Sequence, residues 1–330
     1  MSVLPEDPRV GELSEAIILR GILERLGGSR ALVGPGDDAA VLAMAGRVVA
    51  TTDTLVEGPD FRLAWSSGYD LGWKSAAVNL ADVAAMGARP TALLVALALP
   101  AETRLSFVLD LADGLRDACD RLAPGCEVVG GDLTVSPTLT IAVTALGELE
   151  EREAVRRDGA RAGDVLALAG EAGQAARGLS VLFDRFRDAD GRPVPVDRSG
   201  LVPDDARALD AQLRPLPPVA LGPVAADAGA TAMMDVSDGL ARDAARMAAA
   251  SGVSFDIDGA ALGPHRAWAV SGGEDHGLLA TFPDGRELPE GFRAIGRAVP
   301  ARGDGPAVNV DGAAADGGWD PYRDWDGRSG

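Results

Sequence analysis

A chain of 330 residues, 47% hydrophobic and 25% charged, carries enough apolar material for two domains of about 150 residues or one large α/β domain. Its 31 basic and 50 acidic residues leave a formal charge of −19, which excludes nucleic-acid binding through a general basic surface. Cys119 and Cys126 are too few for a disulfide scaffold or a Cys/His zinc cluster, and the longest apolar run, Ala92 to Pro100, is too short to span a membrane.

In chain order, Met1 to Val10 is polar and acidic and does not read as a signal peptide, so a soluble cytoplasmic protein is expected. Leu13, Ile17, Ile18, Ile22 and Leu26 keep a helical period that Gly27-Gly28 ends. Ala39–Met44 and Arg47–Thr52 read as a hairpin about Ala45-Gly46. Tyr69–Met86 is a helix, Thr91–Leu99 a buried strand, Ser106–Leu122 an amphipathic helix. Val128-Val129 leads into Gly130-Gly131-Asp132, and Leu139–Leu146 is a further strand. This alternation predicts an α/β or α+β fold. The charge-dense stretch Glu148–Asp158 has little apolar periodicity and sets a domain boundary, dividing the chain into 1–150 and 151–330. Beyond it, Asp164–Leu168 is a strand and Ala172–Phe186 a helix. Asp188–Pro218 is a loop holding a short helix at Asp204–Leu213. Thr231–Met234 is a strand entering DVSDGL and the helix Ala241–Ala250. SGGEDHGLL is a glycine turn followed by a strand, and the tail from Ala301 is rich in Gly and Asp.

The acids occupy particular places in this plan. GPGDDAA, residues 34 to 40, sets Asp37 and Asp38 side by side. A two-residue turn at Ala45-Gly46 would pair residue 38 with residue 53 across the hairpin and send Asp37 to the other face; a longer turn would slip that register. Two carboxylates so placed raise each other's pKa or share a cation. Asn79 and Asp82, three apart, share one face of a largely apolar helix, where an acid needs a partner. Lys74, two turns away, is one candidate and the only lysine of the chain. Its retention among so many arginines suggests a need for a compact ammonium. Asp235-Val236-Ser237-Asp238-Gly239-Leu240 lies where a strand hands over to a helix. Backbone N–H groups there suit a phosphate, acids there suit a metal, and Ser237 or Asp238 equally suits a plain N-cap.

Several signatures are absent. There are two histidines, His265 and His276, and no GxSxG, HExxH or GxxxxGK[ST]. Many carboxylates with few imidazoles suggest a hard cation such as Mg²⁺, held in part by substrate phosphates.

Taken together, GPGDDAAVL, TTDTLVEGPDF, GWKSAAVNLADVAAMGARP, GGDLT, DVSDGL, SGGEDH and GGWDPY resemble the thiamine-monophosphate kinase family. That family sits in a superfamily with aminoimidazole ribonucleotide synthetase, selenophosphate synthetase and a hydrogenase maturation factor. The resemblance runs from about Glu12 to Trp319. It implies a two-domain aminoimidazole ribonucleotide synthetase-like fold. The N-terminal domain would bind metal and ATP and donate strands to a β-barrel at a homodimer interface; the C-terminal α/β domain would complete the ATP and substrate site. It implies ATP-dependent phosphorylation of thiamine monophosphate with several Mg²⁺ ions. In that pattern Asp38, Thr51, Thr52, Asp53, Asp82, Asp132, Asp235 and Asp238 hold metal. Gly130, Gly131, Arg157 and Ser237 face ATP, while Asp60, Glu274 and Trp319 contact the thiamine substrate. Asp53, Asp82 and Arg157 are the expected catalytic residues. The chain departs from the pattern at Asp60 (commonly His), His276 (commonly Tyr), Pro321-Tyr322 (commonly His-Phe) and Pro218 (commonly Arg). The first three of these departures bear on thiamine contacts; the metal-binding acids are all present.

The residues and the resemblance agree on chemistry. A phosphate-monoester acceptor has a second pKa of about 6 and needs no catalytic base near neutrality, which fits the low histidine count. The alternatives are another ATP-using enzyme of the superfamily and a non-catalytic nucleotide- or metal-binding module. The selenium branch is disfavoured because no Cys precedes Cys119; the hydrogenase branch usually ends in Cys, whereas this chain ends DGRSG.

Overall fold

A computed structural model describes residues 7–35, 38–303, 305–320 and 323. Asp37, Pro321 and Tyr322 lie outside the described residues. The first half comprises α1 (Glu15–Leu26), β1 (Val48–Val56), α2 (Gly68–Ala85), β2 (Arg89–Leu99), α3 (Leu105–Leu122), β3 (Glu127–Val135) and β4 (Thr140–Glu148). Its sheet has the order β1-β4-β2-β3, antiparallel except for the parallel β2–β3 pair. One face is apolar by alternation: Leu93, Val95, Leu97 and Leu99 of β2 and Ile141, Val143 and Ala145 of β4 point to α2 and α3. The opposite face carries Leu94, Ala96, Ala142 and Thr144 and stays partly open. The sheet is open, so among the described residues no barrel closes within one chain.

The second half comprises β5 (Val165–Ala169), α4 (Gln174–Arg185), α5 (Pro203–Leu213), α6 (Leu221–Asp227), β6 (Ala232–Val236), α7 (Leu240–Ser251), β7 (Val253–Ile257), α8 (Arg266–Ser271), β8 (Gly277–Phe282), β9 (Phe292–Pro300), β10 (Val308–Val310) and β11 (Ala313–Ala314). Its seven strands run β11-β10-β7-β9-β5-β8-β6. β8 is fully buried, as a central strand covered on both faces must be. The loop expected over Asp188–Pro218 holds α5 near its predicted place, and α5 packs on α4 through Leu209, Leu213 and Leu182.

α2 joins the halves. Ser67 caps it: its Oγ accepts from Asp70 N at 3.2 Å while Asp70 Oδ2 accepts from Ser67 N at 3.0 Å. The helix is buried almost all round because the first sheet and α3 cover one side, and α5, α6, β6 and β8 approach the other. Trp73 Nε1 donates to Pro215 O at 2.8 Å, and Val155 N donates to Met86 O at 3.0 Å. One helix therefore carries side chains into both halves at once.

The structure corrects the expected hairpin. All nine residues of β1 pair with β4, Asp53 lying opposite Val143, and Ala39–Met44 forms no strand beside it. Gly46 bridges to Glu150 instead, with φ +74 and so close that a Cβ there would lie 2.2 Å from the Glu150 carbonyl oxygen. Glu148 Oε2 takes the N–H of Ala45 at 2.6 Å. The preceding segment is tied elsewhere, by the Val33–Val41 bridge and by Glu127, which accepts from the N–H groups of Arg30 and Ala31. Asp38 consequently is not paired with Asp53 across a hairpin.

Candidate active site

β1 alternates across its sheet, and that decides which acids meet. Thr51 and Asp53 point toward α2. Thr51 Oγ1 donates to Asp82 Oδ2 at 2.8 Å, and Asp53 N donates to Asn79 Oδ1 at 3.1 Å. Asn79 and Asp82, three apart on α2, thus both engage β1, as their shared helix face anticipated. Asp235, at the end of β6, enters from the second sheet and is 9% exposed. Burial raises the pKa of Asp82 to about 7, aided by the charges of Asp235 and Asp53. Burial likewise raises Asp53; Asp235 and Glu274 add to the rise and His276 opposes it. Three acids from β1, α2 and β6 therefore share one poorly solvated cleft and resist simultaneous ionisation.

The GGEDH turn supplies the opposite wall. Glu274 and His276 both hold left-handed backbone, φ +73 and +54, although neither is glycine. Each such residue costs about 1–3 kcal/mol and persists only where its surroundings fix it. Here Asp275 anchors the turn by accepting from Gly173 N at 2.6 Å and Ala175 N at 2.9 Å at the start of α4. Burial nevertheless raises Asp275 to about 6. Glu274 ion-pairs with Lys74 of α2, whose side chain is 5% exposed. Although desolvation works against it, Glu274 is held below its usual range by Lys74 and His276. His276 is buried, and its Nδ1 lies 3.0 Å from Asp235 Oδ2. Burial alone would lower its pKa, but the hydrogen bond to Asp235 and the charges of Asp235 and Glu274 raise it. Asp60 stands at the rim, accepting from Val56 N at 2.7 Å. Desolvation and the neighbouring Glu274 and Asp53 raise it, against the Val56 hydrogen bond and Lys74.

The remaining candidates fall in two other places. Asp38, Gly130, Gly131 and Asp132 line a cavity of about 710 Å³ beside the first sheet, walled by Leu19 and Leu23 of α1, Leu94 of β2 and Leu111 of α3. Gly131 passes so close to β2 that a Cβ would meet Val95 O at 2.0 Å. Thr52 faces away from Asp82; its Oγ1 donates to Val143 O at 3.0 Å and accepts from Thr144 Oγ1 at 3.2 Å. At the start of α7, Asp243 was missed by the sequence reading. Its Oδ2 accepts the N–H groups of Ser237 at 3.0 Å and Asp238 at 2.9 Å, and burial raises it to about 6. Asp238 is itself paired with Arg246 at 2.7 Å. Trp319 N donates to Asp238 O at 2.9 Å, and Arg242 holds the adjacent Asp320 at 2.8 Å, which lays the tail along this loop. Arg157 is exposed on the segment beside β6 and makes no side-chain ion pair among the described residues.

Among the described residues, no three His, Cys, Asp or Glu side chains lie close enough to hold a metal ion by themselves. The donor chemistry still suits a hard cation: acids gathered out of water, with a threonine hydroxyl on one of them, need a positive charge that further oxygens could share.

Two sheets bridged by a buried helix, with acids from both halves meeting along it, define an AIR synthase related protein. The N-terminal domain of that family matches residues 36–149 and its C-terminal domain residues 161–288. The chain is 40% identical over 342 residues to the thiamine-monophosphate kinase of Mycobacterium tuberculosis, covering 98% of this chain and 94% of the relative. With that of Corynebacterium glutamicum it shares 40% identity, covering 91% and 90%. Among solved structures, thiamine-monophosphate kinase from Stenotrophomonas maltophilia superposes with a TM-score of 0.77 at 34% identity, covering 92% of this chain and 98% of that one. AaThiL complexed with AMPPCP and TMP gives 0.73 at 32%, covering 96% and 99%. The chain belongs to the thiamine-monophosphate kinase family and is a kinase.

Proposed function

We propose that the protein phosphorylates thiamine monophosphate to thiamine diphosphate by direct in-line transfer from ATP, assisted by several Mg²⁺ ions. The observation that carries this is the convergence of Asp53, Asp82 and Asp235 from three elements of both halves into one desolvated cleft. Acids there would repel ATP and a phosphate-monoester acceptor alike. Two unit charges 4 Å apart repel by about 4 kcal/mol at an effective dielectric of 20, and several such pairs would occur. Mg²⁺ held by these acids would supply the missing positive charge.

The ligand set we propose is Asp38, Thr51, Thr52, Asp53, Asp82, Asp132, Asp235 and Asp238. Asp53 and Asp82 are the acids on which catalysis rests, with Arg157 offsetting charge on the transferring group. Gly130, Gly131, Arg157 and Ser237 would meet ATP, the first two because bare backbone at that cavity admits close approach. Glu274, Asp60 and Trp319 would receive the thiamine moiety; carboxylates suit its cationic ring. The acceptor phosphate oxygen attacks the γ-phosphorus as the bond to the β-bridging oxygen breaks, and ADP leaves with that electron pair. No base is needed, because the oxygen is already ionised above its second pKa of about 6.

Residues 1–150 would form the metal-, ATP- and dimer-forming domain and 151–330 the domain that completes the site. The homodimer would pair strands through the free edge of β1 into a barrel. Val48, Leu94 and Val135, exposed large apolar residues on this sheet, support that reading. No helix among the described residues is long and apolar enough to cross a membrane, which is compatible with the cytoplasmic location we propose. The test is to incubate the purified chain with Mg-ATP and thiamine monophosphate and follow ADP and thiamine diphosphate. Turnover of formylglycinamidine ribonucleotide instead would replace this reading with another activity of the superfamily.

A further inference from the structure

His276 does not belong to the set proposed above, yet it is 5% exposed at the centre of the cleft. Among the described residues its ring makes one hydrogen bond: Nδ1 lies 3.0 Å from Asp235 Oδ2, while Nε2 is buried and meets no partner there. A carboxylate only accepts, so Nδ1 carries the proton and donates it. Around Asp235 the other titratable groups that act on it are the carboxylates of Asp53, Asp82 and Asp243, all repulsive. Among the described residues, no other side-chain donor reaches it. Left alone, this carboxylate would turn away from its neighbours. The GGEDH turn is built to prevent that. His276 N donates to Val236 O at 3.1 Å, Glu274 N to Ser237 O at 2.9 Å, and Asp275 is clamped to α4. The turn is thereby laced to the strand end that bears Asp235.

We propose that His276 is a positioning residue that fixes the Asp235 carboxylate through Nδ1–H···Oδ2, leaving Oδ1 for a divalent cation. The proposal rests on the reading of Asp235 as a cation ligand. Groups that orient a metal-binding side chain in this way alter metal affinity by about 10–100-fold when removed. Four variants separate the possibilities. In His276→Asn the side-chain amide keeps a donor where Nδ1–H lies and tolerates left-handed backbone. In His276→Phe the ring bulk stays and the donor is lost. Asp235→Asn, alone and with His276→Phe, closes the cycle.

The readout is binding of Mn²⁺ alone, followed by electron paramagnetic resonance, with thermal melting to compare folding. Binding weakened at least tenfold in His276→Phe, kept within about threefold in His276→Asn, and unchanged by His276→Phe in the Asp235→Asn background would support the proposal. Wild-type affinity in His276→Phe would overturn it, as would equal weakening in His276→Asn and His276→Phe, which would mark a structural role for the ring. Wild-type protein that holds no Mn²⁺ would overturn the cation-site reading itself and the inference with it.

Discussion

Lys74 of α2 and Glu274 of the GGEDH turn form an ion pair across the two halves of the molecule, with the lysine side chain 5% and the glutamate 42% exposed. The two ends therefore differ in what their loss would strand. Removing the acid leaves an ammonium with almost no exposed surface; removing the ammonium leaves a carboxylate that, though partly desolvated by the cleft, keeps 42% of its surface exposed. We expect Glu274→Gln to destabilise the protein by about 2–3 kcal/mol and Lys74→Met by less than about 1 kcal/mol. Urea unfolding of both variants checks the order, and a larger loss in Lys74→Met would contradict it.

Asp53→Asn and Asp82→Asn keep size and shape while removing charge from the cleft. Both are expected to fold normally and to lose at least about 100-fold in kcat, because the cation they would help hold supplies transition-state charge stabilisation. Steady-state kinetics with saturating and limiting Mg²⁺ decide the matter. Turnover like the wild type at limiting Mg²⁺ would count against their role.

The acid cluster predicts a pH dependence with a definite sign. Burial, with Asp235 and Asp53 beside it, raises Asp82 from 3.8 to about 7. Between those values the folded chain holds more protons than the unfolded one, so stability of the metal-free protein falls as pH rises through that window. A cation favours the ionised form and reverses the loss. The rise in melting temperature caused by Mg²⁺ should therefore be small at pH 5.5 and larger at pH 8. Without Mg²⁺ at pH 8, Asp82→Asn should be more stable than wild type by roughly 1–2 kcal/mol. Scanning calorimetry at the two pH values tests both statements; an Mg²⁺ effect independent of pH would refute them.

Gly131 tests the close approach of β3 to β2. Alanine would place its Cβ 2.0 Å from Val95 O, which only a shift of the strands can relieve. Gly131→Ala should lose roughly 1–3 kcal/mol of stability and weaken binding of a non-hydrolysable ATP analogue. Calorimetric titration measures the second effect, and unchanged affinity would remove Gly131 from the nucleotide surface.

Much of this arrangement is legible in the sequence where the signal is local. The helix Tyr69–Met86 differs from α2 by one residue at each end, and the shared face of Asn79 and Asp82 is real, because helical spacing fixes it whatever surrounds it. The hairpin at Ala45-Gly46 failed because a distant strand, β4, satisfies all of β1, while Glu148 and Glu150 hold the turn residues from outside. Short-range turn chemistry cannot report a competitor ninety residues away. β7 and β9 went unread: VSFDI alternates strictly but is only five residues long directly after a helix, and RAIGRA alternates weakly between turn-rich segments. Lys74 was visible as a singular residue but not its partner, since Glu274 reaches it only through a left-handed turn. Asp243 carried no motif, and His276 stood in SGGEDH only as a departure from the family pattern; the contacts both make come from burial against neighbours that only the folded chain supplies.

The central claim is direct transfer in the acidic cleft with no covalent phosphoenzyme. It is tested most directly by ATP made chiral at the γ-phosphorus, with thiamine monophosphate as acceptor and the configuration of the new phosphoryl group in thiamine diphosphate as readout. A single in-line displacement predicts inversion; retention, or the absence of labelled thiamine diphosphate, would contradict the account.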